Sequence, residues 1–351
     1  GTSTFISGGN ITFNNSISKD GANTEFILMR ADYNGTGTGT VIFNAGNING
    51  AGANVQIIYN PTTFGTPDTF YAGGIAGINY MLIQSLGAAT DTTTRSLASL
   101  SNNAAGLLGA GKNYALAKDI DATPTSGWNS GSGFIPINAN NNNLFNGLNF
   151  AITNLFINRP ATTGVGLFAG GSLAITNINL ITPNITGGQN TGGIVGFTNS
   201  GNTVTDIGVY GGTITGTTNV GGIIGSSGAA QPLVRAFNSA TVTGSGNNVG
   251  GIAGITTIGL TDSVNYGNVS GASNVGGIVG SNTGALLQNV SNVGTINGSG
   301  SNVGGIIGLH TSTGSLSLAL NTGVVTGGSV VGSLVGSQTT SATTVNSFWD
   351  T

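Results

Sequence analysis

Over the second half of the chain, single Ile or Val residues stand between small polar side chains at a nearly fixed interval. Asn184-Ile185-Thr186-Gly187 is followed by Thr213-Ile214-Thr215-Gly216, Thr241-Val242-Thr243-Gly244 and Asn268-Val269-Ser270-Gly271. Thr295-Ile296-Asn297-Gly298 and Val324-Val325-Thr326-Gly327 continue the series. One apolar residue between two polar ones is the alternation of a short strand with one side chain inward and two outward. A second string, V-G-G-I-[IVA]-G, runs in phase with the first at Val220–Gly225, Val249–Gly254, Val275–Gly280 and Val303–Gly308. Weaker copies are Val165–Gly170, Thr191–Gly196 and Val331–Gly336, and successive copies are 26, 29, 29, 26, 28 and 28 residues apart. A third β-prone run occurs once per repeat: Val204–Tyr210, Leu233–Phe237, Leu260–Tyr266, Leu286–Val290 and Leu316–Leu320.

Such a repeat cannot bury its Ile and Val alone. Coils stacked about 4.8 Å apart place like residue on like and create a continuous core. The pattern therefore predicts an all-β parallel β-helix, or β-solenoid, with three short strands per coil and about 13 or 14 coils in all. Glycines are expected at the corners, supplying positive φ, with Asn219, Asn248, Asn274 and Asn302 also in the left-handed region. Residues 1–160 are less regular, with β-prone runs at Asn10–Phe13, Phe26–Met29, Val41–Phe43 and Val55–Tyr59 separated by Gly and Asn clusters. They are expected to form N-terminal coils with insertions, and residues 161–351 the repeat coils of about 28 residues. Leu97, Leu100, Ala104 and Leu107 have helical spacing, which suggests a short helix or excursion over residues 95–108. Asn140–Asn143 reads as a loop tip.

Composition narrows the class of molecule. Of 351 residues, 64 are Gly, none is Cys, one is His, and 17 are Asp, Glu, Lys or Arg. So little charge excludes a phosphate-reading nucleic-acid binder, and the lack of thiols excludes disulfide frameworks and zinc ribbons. An apolar share of 38% is enough for a core, against disorder. The first half holds 13 of the 17 charged residues, and the repeats from 160 onward hold only Asp206, Arg235, Asp262 and Asp350. Like charges at a repeat position would pile up along the stack, which accounts for that scarcity. No apolar run approaches the roughly 18 to 20 residues of a membrane-spanning helix, so no membrane span is expected. The start lacks a Met, a basic region and an apolar region, so a mature or excised piece is expected. The absence of Cys suits export through an oxidising compartment.

Chemistry is thinly represented. Enzymes built on β-helices use clustered carboxylates and bases in a groove. The densest cluster here is Lys118, Asp119 and Asp121 with Lys112 nearby, and the plainer reading is local capping and pairing. His310 follows Gly308-Leu309 and is expected as an exposed corner residue. A lone histidine makes neither a triad nor a metal site. The glycine-rich units lack the Asp of calcium-binding nonapeptides and the Lys of a phosphate loop. No catalytic residue, metal or cofactor is therefore assigned. The outward ladder of Thr213, Thr215, Thr241, Thr243, Asn268, Ser270, Thr295 and Asn297 is the candidate ligand-facing surface. A flat array of hydroxyls fits ice or a crystalline polysaccharide, while the plainer account is that small polar residues stack well and keep the face soluble.

The units GGI[VIA]G with their [TN]-[IV]-[TSN]-G partners resemble the GLUG repeats of large bacterial surface proteins. Tyr114-Ala115-Leu116-Ala117-Lys118-Asp119-Ile120-Asp121-Ala122, Gly127-Trp128-Asn129 and Gly133-Phe134-Ile135-Pro136-Ile137 are similar to the block preceding such repeats. Phe145–Leu148, Ile152–Ile157 and the closing Asn346-Ser347-Phe348-Trp349-Asp350-Thr351 fit as well, while Gly8–Thr12 and Tyr59–Pro61 resemble filamentous-haemagglutinin-like exoproteins of two-partner secretion. The resemblance implies a right-handed β-helix. It further implies a secreted, non-enzymatic adhesin or biofilm-matrix segment on a Gram-negative cell surface, exported through an outer-membrane pore. Partners implied are host glycan, matrix protein, exopolysaccharide or another copy of the chain. Sugars on N-x-[ST] asparagines are implied too, with Asn10, Asn14, Asn34, Asn184, Asn268, Asn289 and Asn297 as candidate acceptors. The rival from another class is a polysaccharide-degrading β-helix enzyme.

Overall fold

The computed structural model describes residues 2–18, 26–49, 54–70, 77–102, 107–139, 143–199, 203–228, 232–311, 313–339 and 341–350. The chain is an all-β parallel β-solenoid of about 11 turns with almost no helix. The turn number is below the roughly 13 or 14 expected from the sequence, and the early turns are unequal: Val55 pairs with Gly77 across 22 residues. Tyr80 pairs with Asn113 across 33 residues.

Two compact units are present, one of Gly1–Asp119 with Asn143–Phe150, the other of Ile120–Asn142 with Ala151–Thr351. In the first unit, Thr2–Ile6, Phe26–Arg30, Asn54–Tyr59, Gly77–Ile83, Asn113–Leu116 and Asn143–Asn146 pair successively in parallel. Its core joins Ile27, Met29, Val55, Ile57 and Tyr59 from these strands to Ile11, Val41, Ile48 and Phe70. The four runs read as β-prone in this half are all strands. The helix is shorter than its spacing suggested, Leu97–Asn102, with Leu97 and Leu100 buried. Ala104 lies outside the described residues, as do 140–142 of the expected loop tip. Asn143 begins a strand, and its Nδ2 donates to the carbonyls of Gly109 and Lys112 at 2.9 and 2.7 Å.

In the second unit a full turn has four strands rather than three. Val204–Tyr210, Thr213–Gly216, Val220–Gly221 and Ile224–Ser227 make one turn, and each pairs in parallel with its counterpart in the next. The Gly-Gly bend divides what reads in sequence as one element. Ile185, Ile214, Val242, Val269 and Ile296 are all buried, as are Val220, Val249, Val275 and Val303. The single apolar residue of each polar string therefore faces the core.

The corner glycines have a different role from the one expected. The left-handed conformation belongs to the preceding asparagines, with φ of 58° at Asn190, 56° at Asn219, 61° at Asn248, 54° at Asn274 and 60° at Asn302. Gly221 and Gly222 do not adopt it. A Cβ on Gly222 would overlap the Gly251 carbonyl oxygen and sit 2.5 Å from Asn238 Cγ. These glycines are required by close approach of neighbouring turns, and the asparagines by the bend itself.

Candidate functional site

The outward ladder has two solvent-facing columns in the second unit. Asn184, Thr213, Thr241, Asn268 and Thr295 form the outer column, and Thr186, Thr215, Thr243, Ser270 and Asn297 the neighbouring one, held in register by parallel pairing. Many of these groups hydrogen-bond one another from turn to turn. Thr213 Oγ1 donates to Asn184 Oδ1 at 3.2 Å, Ser270 Oγ to Thr243 Oγ1 at 3.2 Å and Thr326 Oγ1 to Asn297 Oδ1 at 3.3 Å. The Thr295 main-chain N–H donates to Asn268 Oδ1 at 3.0 Å. The ladder thus presents methyl groups and partly spent hydroxyls. Val324 breaks the outer column.

All seven candidate acceptor asparagines, Asn10, Asn14, Asn34, Asn184, Asn268, Asn289 and Asn297, are exposed. Asn289 differs in that its Nδ2 donates to Asp262 Oδ1 at 2.6 Å, which occupies the nitrogen a sugar would take. The oxygens of Asn10 and Asn14 accept from Thr40 N and Asn44 Nδ2, leaving those amide orientations defined.

The ionisable groups are engaged locally. Lys118 Nζ donates to the Gly35 carbonyl at 3.3 Å. The Asp121 carboxylate accepts from Thr123 N and Oγ1 at 2.9 and 2.6 Å, which holds its pKa below the usual range. Asp91 ties its own loop to Thr93, Thr94 and Ser96, and its pKa is lowered by those hydrogen bonds against the opposing effect of burial. Arg235 grips Asp206 through Nε and through Nη2 at 2.7 Å, and this bond holds the Asp206 carboxyl low. Among the described residues no group of three His, Cys, Asp or Glu side chains is placed to hold a metal ion.

His310 corrects a sequence expectation. It is not an exposed corner residue but a fully buried member of the strand Ile307–Thr311, because the strand runs past the glycine-rich bend. It occupies a register column with the buried Thr256 and Asn282 and, in the last turn, the exposed Gln338. Thr256 closes its loop through Ile258, Asn282 through Ala285, and Gln338 through the Ala342 carbonyl at 2.6 Å. The imidazole fills the corresponding slot against Gly314, with neither nitrogen in a hydrogen bond of good geometry. Desolvation lowers its pKa, partly offset by the Gly314 main chain.

Two arrangements escaped sequence reading. Tyr210, Phe237 and Tyr266 stack across three successive turns, with centroids 4.7 Å and 5.7 Å apart and interplanar angles of 23° and 34°. Gly208 makes the stack possible, since a Cβ there would collide with the Tyr210 ring. Beside them Asn177, Asp206, Arg235, Asp262 and Asn289 share a left-handed bulge, with φ of 53° to 57°. The signal for both was the repeat interval, which places Asp206, Arg235 and Asp262 at steps of 29 and 27.

No family model matches the chain. Over 89 residues, 24% of its length, the chain is 51% identical to halomucin of Haloquadratum walsbyi, and it spans about 1% of the length of that protein. That organism is an archaeon and not a Gram-negative bacterium. The crystal structure of a putative immunoglobulin A1 protease from Bacteroides ovatus resembles the fold with a TM-score of 0.51 and 22% identity, covering 72% of this chain and 81% of that one. The chain is thus a β-solenoid repeat protein with partial homology to halomucin. Among the described residues no helix is long and apolar enough to cross a membrane.

Proposed function

We propose that this chain is a scaffold segment of a much longer secreted or cell-surface protein, acting without catalysis as an adhesive or matrix-forming element. The observation that carries this reading is the 51% identity to a stretch making up 1% of a far larger protein. A repeat coil contacts mainly its neighbours, so the same module extends a protein to great length without redesign. Parallel main-chain ladders give the stack its resistance to extension, and exposed small polar columns give many weak contacts whose avidity exceeds any single one. Adhesion to glycan, matrix protein or exopolysaccharide, or to further copies, follows from that display, as does sugar attachment at the exposed sequons. Export through an outer-membrane pore of the two-partner type belongs to the reading only if the source cell is Gram-negative.

The polysaccharide-degrading alternative is less well supported. It needs paired carboxylates converging on a groove, whereas Asp91, Asp121, Asp206 and Asp262 each engage a neighbouring side chain or loop. Surface labelling of intact source cells with an antibody to this chain tests the proposal, together with an adherence assay on a strain lacking it. Labelling of intact cells and loss of adherence are expected. Signal confined to permeabilised cells would refute the reading.

A further inference from the structure

We infer that the outer face of the long sheet in the second unit is where a second copy of the chain docks, face to face and with its stacking direction reversed. Six strands pairing in parallel build this face: Leu173–Ile181, Val204–Tyr210, Leu233–Asn238, Leu260–Asn265, Leu286–Asn292 and Ser315–Asn321. Alternation turns one set of their side chains to the core and the other outward. Toward the C-terminal ends of the strands the outward set is apolar. Ile181, Tyr210, Tyr266, Val293 and Leu320 are exposed there, with Phe237 and Val264 half-buried among them. Scattered exposed apolar residues need no explanation, but a continuous strip marks a docking surface.

A second copy fits this face on three counts. The first is the aromatic stack. Its spacings of 4.7 and 5.7 Å cover both faces of Phe237 and the inner faces of Tyr210 and Tyr266. The rings therefore present mainly edges to the outside, which pack against a flat apolar surface. A sugar ring, by contrast, needs an open aromatic face.

The second is charge. Beside the stack, Asp206, Arg235, Asp262 and Asn289 follow one another in successive turns. Arg235 is the one Lys or Arg of residues 161–351, and its side chain stays 56% exposed while holding Asp206. A two-fold axis parallel to the strands, midway between the turns of Arg235 and Asp262, sets Arg235 of each copy opposite Asp262 of the other. That is the reciprocal contact of an isologous interface. An axis through Arg235 itself would oppose like charges, so the ladder selects the register.

The third is shape and area. Asn238 and Asn265 are register partners, so Ser239 and Tyr266, which follow them, share a column. The same axis sets the small Ser239 of one copy opposite Tyr266 of the other, a large side chain over a gap. Rotation about the strand direction keeps the strands of the two sheets aligned, as in sheet-on-sheet packing. Six strands about 4.8 Å apart and about 20 Å long offer roughly 600 Å² per copy. Two copies bury about 1,200 Å², above the roughly 1,000 Å² of a specific interface. The inference rests on the reading of the chain as a matrix-forming element, and the two fail separately. A monomeric purified chain overturns the interface and leaves the surface labelling of cells untouched.

Analytical ultracentrifugation of the full chain over a concentration series reads the association. A reversible monomer–dimer equilibrium is expected, weakened about tenfold or more by Tyr266→Ser, the loss of one interface anchor. Arg235→Asp and Asp262→Arg should each weaken it alone by opposing like charges. An equimolar mixture of those two variants should associate, because it restores opposite signs at both contacts. All three substitutions are at solvent-facing positions, so the circular dichroism spectra should match the unaltered chain. A chain that stays monomeric at every concentration would overturn the inference. Association indifferent to Tyr266→Ser would overturn it too, by placing the contact elsewhere, as would two folded charge variants that fail to associate when mixed.

Discussion

Asn265 Nδ2 donates to Asn292 Oδ1 at 2.8 Å, one rung of a buried ladder that runs from Asn238 through Asn265 and Asn292 to Asn321. Each rung also closes its own bend. Asn265 Nδ2 donates to the Gly267 carbonyl at 2.8 Å, and its Oδ1 accepts from the Gly267 N–H at 3.1 Å. A side-chain amide has two donors and two acceptor positions, and stacking at the turn spacing uses them both within and between turns. The ladder locks register, because a slip by one residue would strand four buried amides at once.

Removing one rung should therefore cost more than a single hydrogen bond. Asn265→Ala leaves Asn238 without its acceptor and Asn292 without its donor, and opens the Gly267 bend. A loss of about 2 to 4 kcal/mol is expected from buried unsatisfied groups of this kind. Urea unfolding followed by far-ultraviolet circular dichroism measures it, and a change below about 0.5 kcal/mol would show that water replaces the amide without strain.

The corner glycines make a sharper prediction, since close approach and flexibility predict opposite results. Gly222 does not adopt positive φ, so Gly222→Ala should be harmless if glycine served only to bend the chain. Its Cβ would meet main chain at Gly251 and the amide of Asn238, neither of which can move away easily. A loss of about 1 to 3 kcal/mol is expected from overpacking. Gly127→Ala is the comparison, because nothing lies within 4 Å of the added carbon, and it should be neutral in the same urea titration.

The parts legible from sequence were those written in the repeat. Ile214, Val242 and Ile296 could be placed inside, and Thr213 and Thr241 outside, because alternation fixes the face of each residue and the interval fixes its partner. Strand division was not legible: Val220-Gly221-Gly222-Ile223-Ile224 reads as one apolar run, and only the steric demand at the two glycines shows the bend within it. His310 was misplaced for a related reason, since the residues before it read as a corner although the strand continues through Thr311. The network in which Asp32 accepts from Asn60 Nδ2 and Gln84 Nε2 at 2.8 and 2.9 Å had no repeat to betray it. Asp32, Asn60, Gln84 and Arg95 come from turns of unequal length in the irregular half, so nothing in the spacing aligned them.

His310 gives the chain a pH response that its composition isolates. It is the one histidine, and burial lowers its pKa below the ordinary value, which is about 6.5 in an unfolded chain. Between the folded and the unfolded value the unfolded state binds more protons, so stability rises with pH across that window. The sign is thus fixed: stability is complete above about pH 6.5 and falls as the pH drops below it. The Asp206 carboxyl is held below the ordinary carboxylate range by Arg235. The thermal midpoint should be flat from about pH 8 to pH 7 and decline by pH 5. His310→Asn places in the slot the residue that Asn282 already uses in the preceding turn, and it should abolish the decline while keeping the loop closed. A wild-type and a His310→Asn profile with the same slope between pH 7 and pH 5 would mean that the imidazole gains a proton without leaving its slot.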